Sequence, residues 1–91
     1  MAINITAESI LDNALQNLES TQTKVLEAIN HIKNTIAGAN GYVQMNIISQ
    51  QVFNEMIDAM ITQIATERII FQGEDIAEAV IIELKSLKGE A

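Results

Sequence analysis

The chain has no cysteine, no proline and no tryptophan, and its aromatic residues are Tyr42, Phe53 and Phe71 alone. Lack of cysteine removes disulfides, thiolate nucleophiles and Cys-based zinc sites together, and leaves the redox compartment open. Lack of proline means that nothing forces a break inside a helix. With so few aromatics, Ile, Leu, Val, Met and Ala must fill any core. Basic residues are also scarce: Lys24, Lys33, Arg68, Lys85 and Lys88 stand against twelve Asp and Glu, for a formal net charge of −7. Phosphate binding depends on clustered cations, so scattered ones argue against nucleic acid as a partner. Anionic membrane surfaces are disfavoured for the same reason. Long apolar runs are missing too. The longest are Ala79–Ile82 and Ile69–Phe71, against the roughly 20 residues of a membrane span, so none is expected. Met1–Ser9 has no basic stretch followed by an apolar core. No Sec-type signal peptide is therefore expected, and the chain reads as soluble, either cytoplasmic or exported by a signal-less route.

What is present is a heptad seam. Leu11, Leu15, Leu18, Gln22, Val25, Ile29, Ile32 and Ile36 fall at alternating steps of four and three residues. On a helix those positions form one narrow stripe, the pattern by which helices pack side by side. A helix over about 7–36 is expected, with Thr6 as N-cap and with Glu8 and Asp12 near its positive end. Ala37-Gly38-Ala39-Asn40-Gly41 then supplies a turn, and a second helix over about 42–72 folds back antiparallel.

That second segment carries two apolar stripes. One is Phe53, Ile57, Met60, Ile64 and Phe71; the other is Met45, Ile48, Val52, Met56 and Ala59. A helix facing one partner needs one stripe, so two imply cover from a third segment or another chain. Gly73 marks a break near 73–75, after which Asp75 can cap a third helix over about 76–88. A β reading of Ile69–Phe71 and of Val80–Ile82 follows from β-branching, but the flanking Ala, Glu and Lys favour helix. The fold class expected is all-α: an antiparallel helical hairpin with a shorter third C-terminal helix, in one domain over 1–91. A chain of 91 residues, 48% of them hydrophobic, has more apolar surface than so thin a fold buries, so oligomerisation completes the bundle.

Chemistry-bearing residues are few. His31 is the single histidine, one turn after Glu27, but di-metal bundle sites use a Glu-x-x-His spacing that this pair lacks. Glu55 with Asp58, and Glu74 with Asp75 and Glu78, lack the ligand order of a calcium loop. Gly38 and Gly41 belong to a turn, since no phosphate-loop spacing surrounds them. No catalytic set, cofactor or metal is expected, and the protein reads as non-enzymatic. Met45, Met56 and Met60 suit either core filling or an adaptable binding surface. Gln22, polar within the seam, either finds a partner such as Gln44, Ser49, Gln50 or Gln63 and fixes register or oligomer number, or lies near the seam edge and reaches water. Arg68 suits a surface pairing with Glu67 or Asp75, or a contact across an interface.

The plan resembles that of small bacterial helical hairpins, among them secretion-system needle subunits and exported proteins with a Trp-x-Gly turn. The likeness is architectural: the turn here reads Ala39-Asn40-Gly41-Tyr42, so no functional residue carries over. The expected function is that of a self-associating structural or assembly subunit. Its partner is itself, as a closed homo-oligomer or a filament, with the seam and Phe53, Ile57, Met60, Ile64 and Phe71 as the packing surface. The alternative is a small acidic chaperone or adaptor that holds another protein's helix.

Overall fold

The structure, a computed structural model, describes residues 6–19 and 24–90. Thr6 opens helix α1 (Ala7–Glu19): its Oγ1 accepts from the Ser9 N–H at 3.1 Å while its own N–H donates to Ser9 Oγ at 3.2 Å. This reciprocal exchange satisfies two of the donors that a helix start leaves free. A second helix, α2 (Val25–Gly38), begins after Lys24, whose backbone is extended (φ −70°, ψ 161°). The single helix expected over 7–36 is therefore two. Ser20, Thr21 and Thr23 put three hydroxyl residues in four positions, and such side chains compete for backbone hydrogen bonds. Gln22 lies outside the described residues. Of its expected partners, Ser49 caps a helix, Gln50 donates to Asn54 Oδ1 and Gln63 donates to Glu67 Oε2.

The segment expected as one helix over 42–72 is also divided. A single turn, α3 (Gly41–Gln44), is followed by Asn46 at φ 59°, a left-handed position that Asn tolerates. Ser49, extended, then caps α4 (Gln50–Glu67) by accepting from the Val52 N–H at 3.1 Å. Arg68 stops α4 with φ 63° and ψ 165°, its N–H still donating to Ile64 O at 2.8 Å. Beyond it, the stretch read as helix is an antiparallel ribbon, β1 (Ile70–Phe71) paired with β2 (Glu74–Asp75). The Ile76 N–H extends the ribbon by donating to Ile69 O at 2.8 Å. Gln72 and Gly73 turn the chain with φ 53° and 82°, both positive as a type I′ turn requires. Here β-branching at Ile69 and Ile70 prevails over the helical preference of their neighbours. Asp75 Oδ1 accepts from the Ala77 N–H at 3.0 Å at the start of α5 (Ala77–Lys85), which contains Val80–Ile82.

Among the described residues the protein is mostly helical, with this small ribbon. Helix α1 lies against α2 and α4, and α5 lies against the same two, so the four longer helices close a ring around one core. Helix α1, from the first expected segment, packs on α4, from the second, whereas α2 and α4, which flank residues 37–41, are not principal packing partners. Asn54 on α4 brackets Gly89 beyond α5, donating to its carbonyl at 2.6 Å and accepting from its N–H at 3.1 Å. Lys88 reaches Asp58 at 2.8 Å, so α5 runs antiparallel to α4. Lys33 of α2 pairs with Glu83 of α5 at 2.9 Å.

Candidate functional site

The seam is spent inside the chain. Leu11, Leu18, Ile29, Ile32 and Ile36 are buried, Leu15 and Val25 are half-buried against them, and Gln22 is outside the described residues. Phe53, Ile57, Met60 and Ile64, one stripe of α4, are buried in the same core, and Phe71 packs half-buried on its edge. Ile76, Ala77, Val80, Ile81 and Leu84 complete that core from α5. The apolar surface that the sequence assigned to contact between helices is thus consumed by contact between helices of one protomer.

The other expected stripe, Met45, Ile48, Val52, Met56 and Ala59, is divided, since only Val52, Met56 and Ala59 lie on α4. Met45 is 69% exposed, Ile47 38% and Val52 39%. Ile48 and Met56 are half-buried and Ala59 is exposed. At 3.6 residues per turn, Val52, Met56 and Ala59 sit about 100° to one side of the buried stripe, while Asn54 and Asp58 sit about as far to the other. Since Asn54 and Asp58 face α5, and α4 has α1 as its other large neighbour, the uncovered stripe lies on the α1 flank. The Met45–Val52 run that leads into it crosses the left-handed Asn46 and the Ser49 cap, which hold the chain on the surface there.

Charge is divided between the helices. No Lys, Arg or His occurs in α1, α3 or α4. The cations are Lys24 just before α2, Lys33 on α2, Arg68 at the end of α4, Lys85 at the end of α5 and Lys88 beyond it. Arg68 Nε meets Asp75 Oδ2 at 2.9 Å and its Nη1 meets Glu78 Oε1 at 3.0 Å. Hydrogen bonds to Asp75 and Glu78 raise the guanidinium further above its usual range. The Ala77 N–H, and then Arg68, hold the Asp75 carboxyl below its usual value. The cluster fastens the ribbon to the start of α5, and its acids are engaged by these partners.

His31 is half-buried on α2, and its Nε2 is buried with no hydrogen-bond partner. No group of three or more His, Asp or Glu among the described residues is placed to hold a metal ion. No helix among them is long and apolar enough to cross a membrane. Further exposed apolar residues, outside the seam and both stripes of the second segment, are Leu26 on α2, Ile70 on β1 and Ile82 on α5. Leu26 and Ile82 fall between positions of the buried stripes, and only their neighbours' packing reveals that they face out. Compared with protein-family models, curated proteins and solved structures, the chain matches none.

Proposed function

We propose that the protein is a non-enzymatic, acidic helical module that binds another protein. The observation that carries this reading is the group of apolar residues left uncovered at the start of α4, Met45 and Ile47 before the helix and Val52 on it, with Met56 half-buried beside them. A small acidic domain that leaves Met45 and Ile47 exposed just before its longest helix, and Val52 exposed in that helix's first turn, has the form of a contact surface rather than of a core. A cofactor or metal plays no part in it.

The second reading is the self-associating assembly subunit. Leu26 and Ile82 favour it, because they are exposed on α2 and α5, two helices that touch each other and carry charges of both signs. Mixed charge on one face suits a copy of itself better than uniform charge does. Sedimentation velocity over a wide concentration range separates the readings. One discrete species, monomer or dimer, at all concentrations is the expected result. A growing, polydisperse series would overturn the binding-module reading in favour of assembly.

A further inference from the structure

The character of the partner follows from what surrounds the uncovered stripe. Val52 and Met56 lie on α4, Met45 and Ile47 lie in the connection before it, no cation occurs from residue 41 to 67, and Glu55 is exposed one turn from Val52. The neighbouring α1 adds exposed acids and no base. Lys88 reaches α4 on the opposite flank, where Asp58 engages it. A second copy of the chain would set this acidic face against its own likeness, with −7 on each molecule and no base here to offset it. Like charges facing each other disfavour association.

Form follows as well as charge. The α4 backbone satisfies its own hydrogen bonds and offers no strand edge, so an extended segment gains no ladder here. A helix brings its hydrogen bonds already made and lays i, i+3 and i+4 side chains along an apolar stripe. We infer that this face takes a basic amphipathic helix of another protein: its apolar side covers Val52 and Met56, and its flanking Lys or Arg meet Glu55 and the acids of α1. This rests on the binding-module reading above and names the partner's chemistry.

The test is fluorescence anisotropy with three labelled peptides of about 18 residues, close to the length of α4. One is an amphipathic Leu/Lys helix, one its Leu/Glu twin, and one a scrambled Leu/Lys sequence without a helical stripe. The full chain should bind the first at least about tenfold more tightly than either control, with affinity falling as salt rises. Val52→Asn together with Met45→Ser, both at exposed positions, should weaken it about tenfold while circular dichroism stays unchanged. Glu55→Gln should make the salt dependence shallower, and Leu26→Asn on α2 should change nothing. Equal binding of the Leu/Glu twin or of the scrambled peptide overturns the inference. So does an unchanged affinity in the double variant, or no binding of the Leu/Lys helix at all. Failure with these peptides in a protein that sediments as one discrete species removes this inference alone, whereas concentration-dependent growth removes the reading beneath it.

Discussion

Gly38 and Gly73 offer a comparison in which sterics are silent and only the backbone speaks. A Cβ built at either position meets nothing within 4 Å, yet Gly73 has φ +82° at the ribbon turn while Gly38 closes α2. At Gly73, alanine must adopt a left-handed conformation that costs an L-residue roughly 1–2 kcal/mol. Part of that is offset by the roughly 0.4–1 kcal/mol that alanine gains by restricting the unfolded chain. The net loss for Gly73→Ala is then about 1 kcal/mol, or roughly 4–8 °C in Tm for a domain of this size. At Gly38 the same substitution suits the helix and restricts the unfolded chain. The full propensity gain is about 1 kcal/mol in a helix interior. In the last turn about half is expected, so Gly38→Ala should raise Tm by roughly 2–4 °C. Thermal melts followed at 222 nm, with urea titration as a second probe, report both. A semisynthetic chain with D-alanine at 73 adds a control, because the mirror-image residue accepts positive φ and should match or exceed the parent. Shifts of the same sign in the two L-alanine variants would refute the turn assignment, as would a stable Gly73→Ala protein with a destabilised D-alanine one.

Three more outcomes follow. Asp75 has its carboxyl depressed in the folded state, so its stabilisation is complete above the unfolded carboxylate range and is lost as pH falls through the folded value. Asp75→Asn should therefore flatten the acid limb of a urea-midpoint profile below about pH 5 without steepening it anywhere else; an unaltered limb would contradict the capping role. His31→Leu removes a buried nitrogen without a partner and should raise stability by about 1 kcal/mol, while a loss in chemical denaturation would show that the ring makes a contact worth more than its orphaned atom costs. Leu18→Asp together with Ile29→Asp strikes two core positions, so circular dichroism should show an unfolded chain; a folded but dissociated protein would return the seam to an interface between chains.

Periodicity in the sequence was a reliable guide to which residues are buried and a poor one to where helices end. Leu11, Leu18, Ile29, Ile32 and Ile36 keep step across residues 20–24 because both α1 and α2 turn an apolar stripe to one core. A stripe carries no mark of the break between its two parts, and the seam therefore suggested one helix and a partner chain. The two stripes of α4 were visible, but composition could not say that the Phe53 stripe would fill the core and the Val52 stripe would stay open. That choice is made by where α1 and α5 flank the helix, which is a property of the ring. Gly73 was legible as a break. The ribbon around it was not, because Gln72 lacks the Asn or Asp that usually announces a type I′ turn. Arg68 at positive φ carries no sequence signal, since the residue is atypical of its own conformation.

The absence of cations within α1 and α4 has an electrical consequence. A molecule with bases on α2 and α5 and acids alone along α1 and α4 carries a permanent dipole in addition to its net charge. It approaches a positively charged surface with one side leading. On an anion-exchange matrix it should be retained longer than a protein of equal size and charge whose acids are spread evenly, because few of its bases come near the matrix. Chemical labelling of the adsorbed protein would find its lysines open to reagent while Met45 and Met56, turned to the resin, resist oxidation. Orientation would be imposed by the order of residues along the chain before any specific contact forms.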